Sequence, residues 1–437
     1  MEPVRLRIGV IGTGYLGVTH AACMAELGHD VVAVDVDPVK VARLAAGEMP
    51  FHEPDLGPML ARHVRSGRLR FGTSFREVAL NADVHFVCVG TPQQAGSDAW
   101  DTSHVEQAFR DLARHLDHSA LIVGKSTVPV GTAERMAALV AEVAPAGSRV
   151  EVAWSPEFLR EGQAVADTLT PDRLVFGVSS GWAEQMLRLT YQPLVSAGTA
   201  VHVTDPATSE LVKAAANAFL ATKISFVNGL AEICEATGAD VLALADALGS
   251  DPRIGRRSLH PGLGYGGGCL PKDLRGLHAR ARELGVSGAV SFLEAVDDVN
   301  LRRRRRLVDL GLELLGSYRG ARVCVLGASF KPGTDDIRDS PALHVASGIQ
   351  RAGADVVVYD PVAGAAVRQA YRQLSVAGSL DEAVAEADLV LLLCEWDEFR
   401  RLDPLALGTA VRRRNLIDGR YALDAKRFRA AGWTYRA

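Results

Sequence analysis

The sequence predicts an α/β protein: two domains of alternating strands and helices, joined by a helical region with one long central helix. Three observations carry that prediction. Apolar runs of strand length alternate with amphipathic helical patterns over the first 200 residues. From about Asp205 to Arg306 the pattern is almost wholly helical. At about residue 321 the strand–helix rhythm resumes and continues to the end. The expected boundaries are 1–200, 201–315 and 316–437.

A chain of 437 residues, 48% apolar and 23% charged, has material for two or three domains with ample cores. The net charge of −4 gives no overall basic field for nucleic acid or a membrane surface. "MEPVRLRIGVIG" lacks a signal-peptide layout, and no segment approaches the ~18 apolar residues of a membrane span. A cytoplasmic protein is expected. The twelve histidines are scattered and the six cysteines have no zinc spacing, so no metal site is expected.

The first strand, within "RLRIGVIGTGYLG", runs into Gly12-x-Gly14-x-x-Gly17, and a helix pattern follows. In that context Gly12 permits the tight turn, Gly14 lets the backbone approach a pyrophosphate, and Gly17 allows helix to pack on strand. The helix N-terminus, beginning at Tyr15 and Leu16, offers N–H groups to phosphate. The second strand, "DVVAVDVD", ends at Asp35. A carboxylate there accepts ribose hydroxyls and repels a 2′-phosphate, so NAD is expected rather than NADP. The next strands lie in "DVHFVCVGTP", "ALIVGKSTVPVGT" and "VEVAWSPEFL". Ligands collect beyond the carboxyl ends of such strands, which places Gly90, Thr91 and Thr127 near the cofactor.

"TSELVKAAANAFLATKISFVNGLAEICEATG" reads as one long amphipathic helix. Lys213 and Asn217, four apart, share a face of it. "LRRRRRL" (301–307) places five consecutive arginines around more than one helical turn, with acidic residues just upstream. A solvated helix is expected there, with a subunit contact as the alternative. In the last third, "ARVCVLGASF", "ADVVVYDP" and "ADLVLLLCEW" repeat the βαβ rhythm, and "NLIDGR" is the expected last strand. The glycine fingerprint is absent, so this domain should not bind a second dinucleotide in the same way.

Five cysteines (Cys23, Cys88, Cys234, Cys324 and Cys394) lie in helix or strand patterns and read as small buried hydrophobes. Cys269 differs. It stands in "PGLGYGGGCLPKD", the most glycine-dense loop of the chain. Pro271 suits the first position of a helix, so Cys269 falls at a helix N-terminus, where the dipole and Lys272 favour the thiolate. Asp273, four residues on, returns toward the same side. A free cysteine beside an anion-binding loop is the alternative.

In order along the chain, "GTGYLG", "VGTP", "STVPVGT", "SPEFLREGQA", "ELVKAAANAFLATKISFVN", "DPRIG", "GYGGGCLPKD" and "SFKPGTDDIRDSP" resemble the UDP-glucose/GDP-mannose dehydrogenase family over almost the whole chain. The resemblance implies two Rossmann-like domains joined by a long central helix, and a homodimer or higher homo-oligomer. It also implies NAD-dependent oxidation of the C6 hydroxyl of a nucleotide sugar to a carboxylate. UDP-glucose is the first expectation. The alternatives are dTDP-glucose, a UDP-N-acetylhexosamine and GDP-mannose.

Residue roles follow from the same resemblance. Cys269 is implied as the nucleophile that carries the thiohemiacetal and thioester. Lys213 and Asn217 would stabilise oxyanions, Asp273 would help take the first proton through a water, and Glu157 would activate the hydrolytic water. Thr127 would position water and cofactor. Glu161 would line the site together with Phe158, Leu159 and Arg160. Lys40 would assist Asp35 at the ribose; Lys272 and Arg338 would also touch NAD. The nucleotide sugar would meet Arg253, Phe330, Lys331, Arg420 and the loop Ser258, Leu259, His260, Pro261, Gly262, Tyr265 and Gly266. Departures from the family pattern fall in that loop, at Ser258, His260, Pro261, Gly268 and Leu270, and bear on recognition of the base and ribose.

Rival functions lack these features. A β-hydroxyacid dehydrogenase needs no cysteine and no second βαβ domain. A nucleotide-sugar epimerase of the short-chain type needs Tyr-x-x-x-Lys, and no tyrosine here has lysine four residues on. A non-catalytic nucleotide-binding regulator would not require Lys213, Asn217, Cys269 and Asp273 together.

Overall fold

The computed structural model describes residues 4–437. They group into two compact units, 4–216 with 279–285, and 217–278 with 286–437. The expected helical region is divided between them.

The first unit holds an eight-stranded sheet: β1 (Arg7–Ile11), β2 (Asp30–Val34), β3 (Leu69–Gly72), β4 (Val84–Val87), β5 (Ala120–Gly124), β6 (Val150–Trp154), β7 (Arg173–Gly177) and β8 (Ala200–Thr204). Its order is β3-β2-β1-β4-β5-β6-β7-β8. Pairing is parallel throughout except between β6 and β7. The central strands are apolar at nearly every position because helices cover both faces. One face packs Ile8, Val10, Phe86 and Leu121 against the helix Tyr15–Glu26. The other packs Ile11, Val87, Ile122 and Trp154 against the helices Ser103–Ala113 and Thr132–Val143.

The second unit repeats the plan with β9 (Arg322–Leu326), β10 (Asp355–Tyr359), β11 (Ser375–Val376), β12 (Leu389–Leu392), β13 (Asn415–Asp418) and β14 (Thr434–Arg436). The order β11-β10-β9-β12-β13-β14 is parallel throughout. The expected last strand is thus followed by one more, the short β14. Both sheets have the doubly wound 3-2-1-4-5-6 order, whose reversal point lies beside the first strand. The expected two-Rossmann fold with a long central helix is observed: that helix is Pro206–Thr237, 32 residues.

The arginine run corrects an expectation. On the helix Phe292–Leu315 the buried positions are Leu293, Val296, Asn300, Arg303, Arg304, Leu307, Leu310 and Gly311. They follow the i, i+3, i+4, i+7 spacing of a core-facing stripe. Two of the five arginines therefore point inward, while Arg302 and Arg305 are exposed. Arg303 pairs with Glu235 at 2.8 Å and Arg304 with Asp339 at 2.7 Å, which offsets part of the cost of burying them.

Candidate active site

In the first unit, Gly12 adopts φ +89° and donates its N–H to the Val34 carbonyl at 2.8 Å. A Cβ on Gly17 would lie 1.8 Å from the Gly12 carbonyl oxygen, so the turn and the helix can touch only through glycines. Gly14 begins the helix Tyr15–Glu26 with no side-chain cap, and a Cβ there would meet nothing within 4 Å. An uncapped helix N-terminus facing open space fits a pyrophosphate. Leu16 packs on the core beneath.

Asp35, one residue past β2, is buried. It accepts from Thr13 N (2.7 Å), Thr13 Oγ1 (2.8 Å), Asp37 N (3.1 Å) and Lys40 Nζ (2.8 Å). Burial raises its carboxyl, but the Lys40 and backbone hydrogen bonds outweigh that and hold it below the ordinary aspartate range. It is an ionised acceptor where a ribose would lie. In the second unit the matching Asp360 is spent on the Ala328 and Ser329 N–H groups, and it also accepts from Trp396 Nε1. The loop it holds lacks the second and third glycines of the fingerprint, with Ser329 and Pro332 in their places.

The cofactor-side loops are joined to one another. Thr91 Oγ1 donates to the Thr127 carbonyl at 2.7 Å, and Ser126 Oγ to the Val89 carbonyl at 2.6 Å. Beside Gly90 an added Cβ would meet nothing within 4 Å. On the strap after β6, Glu157 is fixed twice: Oε2 accepts from Leu159 N at 2.7 Å, and Oε1 lies 3.0 Å from Lys213 Nζ. Lys213 is buried, with its Nζ 5.6 Å from the Phe158 ring centroid. Arg173 also lies over the Phe158 ring, at 3.9 Å. Arg160 is exposed and turned to Asp167 through two side-chain bonds. Glu161 is half-buried.

Two residues of this unit were missed in the sequence. Glu53 accepts from the Tyr15 hydroxyl and from Gly162 N (2.6 Å) and Ala164 N (2.7 Å), tying the glycine fingerprint to the Glu157–Glu161 strap. Glu210, three residues before Lys213, accepts from Gly131 N (2.7 Å) and Ala133 N (2.6 Å) at the start of the helix after Thr127. Burial pushes its carboxyl up to about 7, with the N–H bonds opposing. An acid three residues from a lysine on an alanine-rich face was the available signal.

In the second unit, Cys269 is the exposed cysteine among the described residues; the other five are buried, as expected. Its carbonyl accepts from Asp273 N at 2.9 Å, which makes it the cap of the helix Leu270–Glu283. Pro271 is the second helical residue, one position later than expected. Asp273 is buried and accepts from Asn217 Nδ2 at 2.7 Å and Lys272 Nζ at 2.6 Å. Three expected residues are therefore in one hydrogen-bonded cluster.

The glycine loop is pressed against the segment that follows β9. Added Cβ atoms would meet Asp339 O at 2.3 Å from Gly266, the Phe330 ring at 2.9 Å from Gly267, and the Arg338 guanidinium at 2.5 Å from Gly268. Arg338 is held by Asp336, and Lys331 Nζ lies 5.6 Å from the Phe330 centroid. Arg420 donates to the Leu393 (2.9 Å) and Phe330 (3.1 Å) carbonyls. His260 Nε2 is 3.0 Å from the Arg420 carbonyl, Gly262 N donates to Asn228, and Leu259 and Tyr265 are core residues. Pro261 is buried beside them, and Ser258 takes a left-handed φ of 64°. Arg253 stands apart: its side chain is 86% exposed and paired to Asp251.

A doubly wound first domain with a glycine fingerprint and an ionised Asp35 defines an NAD-dependent oxidoreductase. Comparison with known proteins makes this specific. Models of the UDP-glucose/GDP-mannose dehydrogenase family match residues 6–195 (NAD binding domain), 207–302 (central domain) and 324–425 (UDP binding domain). The UDP-glucose 6-dehydrogenase of Rhizobium meliloti (strain 1021) is 41% identical over 419 residues, 94% of each chain. TuaD, a UDP-glucose 6-dehydrogenase of Bacillus subtilis (strain 168), is 37% identical over 99% of this chain and 92% of its own. The structure of a UDP-glucose dehydrogenase from Pyrobaculum islandicum superposes with a TM-score of 0.92 at 37% identity, covering 100% of this chain and 98% of that one. The chain belongs to the UDP-glucose/GDP-mannose dehydrogenase family. It is an NAD-dependent nucleotide-sugar dehydrogenase. Among the described residues no cluster of His, Cys, Asp and Glu could hold a metal ion, and no helix is long and apolar enough to cross a membrane.

Proposed function

We propose that the protein oxidises the C6 hydroxyl of UDP-glucose to the carboxylate in four electrons, through a covalent adduct on Cys269. The observation that carries this is the exposed Cys269 capping a helix whose first turn brings Lys272 and Asp273 into a hydrogen-bonded cluster with Asn217 of the central helix. The curated relatives acting on UDP-glucose support the substrate.

NAD+ supplies the hydride acceptor at each oxidation. The chain's residues handle the protons and the carbon. Asp273, through a water, takes the hydroxyl proton as C6 becomes an aldehyde. The Cys269 thiolate adds to C6, and the oxyanion formed is met by Lys213 and Asn217. An ammonium has three donors, so Lys213 can hold Glu157 and an oxyanion together. Loss of the second hydride leaves a thioester. Glu157 takes a proton from the water that attacks it, and the thiolate leaves as the carboxylate forms. The fold supports a UDP-binding second domain, with Phe330, Lys331 and Arg420 as its contacts to the nucleotide sugar.

We further propose a homodimer or larger homo-oligomer. Phe219, Phe226 and Ile233, seven residues apart on the central helix, are 66%, 58% and 58% exposed. An apolar heptad stripe of that kind fits a second copy of itself.

The test of the substrate is kcat/KM across UDP-glucose, dTDP-glucose, a UDP-N-acetylhexosamine and GDP-mannose. UDP-glucose should lead; a preference for GDP-mannose would overturn the assignment.

A further inference from the structure

We propose that Arg304, one of two fully buried arginines of the run and the one that bonds both Tyr265 and Asp339, is a positioning residue that sets where the Cys269 turn lies; its neighbour Arg303 reaches the loop further back, at the Gly262 carbonyl (3.3 Å). The inference rests on the reading of Cys269 as the working thiol. Its geometry stands on its own.

Arg304 spans two backbone segments. Nη2 donates to the Tyr265 carbonyl at 2.7 Å, while Nη1 and Nη2 reach the Asp339 carboxylate at 2.7 and 3.3 Å. One helical turn earlier, Asn300 grips the same loop residue from both sides. It accepts from Tyr265 N at 2.8 Å and donates to Tyr265 O at 3.1 Å. Every backbone polar group of Tyr265 is thus bound by the helix Phe292–Leu315.

The loop then crosses the segment around Asp339, whose own φ of 44° is left-handed. Gly267 N donates to the Arg338 carbonyl at 3.0 Å, and Gly266 leaves no room for a Cβ against Asp339 O. Cys269 follows two residues later. The approach of these two segments is therefore held by one guanidinium bonded to both, beside the direct Gly267–Arg338 bond, with glycines making contact possible. A planar fork can serve a carbonyl and a carboxylate at once; the single point charge of lysine cannot match it. A residue that only filled the core would need neither bond.

The test uses the full-length enzyme without nucleotide. The rate of Cys269 alkylation by iodoacetamide is followed by peptide mass spectrometry, beside thermal melts and steady-state kinetics. The other five cysteines are buried, so the reaction is local. The variants are Arg304→Lys and the charge-balanced pair Arg304→Met with Asp339→Asn. Arg302→Gln, on the exposed side of the same helix, is the control. In folded Arg304 variants the alkylation rate should change by at least about fivefold. The kcat should fall on the order of tenfold to a hundredfold with KM for NAD+ within about twofold, since a small displacement of a nucleophile costs that much. The control should match wild type.

Wild-type alkylation in either folded Arg304 variant overturns the proposal. So does failure of both variants to fold, which would make the arginine a stability element only. If wild type oxidises no nucleotide sugar while the variants still change alkylation, the functional reading fails and the positioning role stands. If wild type is active and the variants alkylate normally, the reverse holds.

Discussion

Cys269, the thiol of the proposed mechanism, is set apart from the other five cysteines by its exposure and its place at a helix start. Burial pushes the thiols of Cys23 and Cys88 up to about 12, and those of Cys324 and Cys394 higher still, which keeps them protonated and inert. Cys269→Ser should therefore reduce sugar-acid release by several orders of magnitude while leaving nucleotide binding, because a hydroxyl is hardly ionised at neutral pH. Cys234→Ser, a buried change on the central helix, should cost about 1 kcal/mol of stability and little rate. At Asp35 the ionised, four-times-bonded carboxylate should favour NAD+ over NADP+ in kcat/KM by at least about tenfold, or ~1.4 kcal/mol. Equal efficiency would remove Asp35 from the ribose. Glu210 has a testable pH dependence. Its carboxyl is raised from 4.5 to about 7 in the fold, so its neutral form is favoured there. The stability this contributes is complete below about 4.5 and is lost as pH rises through about 7. The Tm of wild type should fall relative to Glu210→Gln across that window; a constant difference would show that Glu210 is not titrating there.

At the scale of elements, the central helix carries the most exposed consequence. Phe226→Asp, in the middle of the heptad stripe, should shift the protein toward a smaller species in size-exclusion chromatography with light scattering. An unchanged mass would place the subunit contact elsewhere. The elements legible in the sequence were those with a strong physical signature. Buried parallel strands such as β1, β4, β5 and β9 are continuous apolar runs, and the glycine fingerprint sits between a strand and a helix. Weak signatures were missed. β8 is an edge strand with most of its residues exposed, and β11 and β14 span two and three residues. The arginine run misled because composition masked period: Asn300, Arg303, Arg304 and Leu307 keep core spacing while two of the four are charged. The pairing of Lys213 with Glu157 joins residues 56 apart in number, and no local pattern encodes such a contact.

The whole molecule pairs two sheets of the same strand order with different loops. In the first unit the loop after β1 leaves an uncapped helix start, and the ionised Asp35, held by Thr13, Asp37 and Lys40, stands at the end of β2, the requirements of a dinucleotide. In the second, Ser340 caps the helix Pro341–Arg351 and Asp360 is committed to the loop, so the same topology serves a different ligand. The residues proposed to do the chemistry, Lys213, Asn217, Cys269 and Asp273, stand on or beside helices rather than on either sheet. In the proposed reaction one protein carries an alcohol through an enzyme-bound aldehyde to an acid. Its most direct test is the ratio of NADH formed to UDP-glucose consumed, with the product identified by mass spectrometry. Two NADH for each UDP-glucose are expected, with UDP-glucuronate as the released product. One NADH for each UDP-glucose, with free aldehyde released, would contradict it.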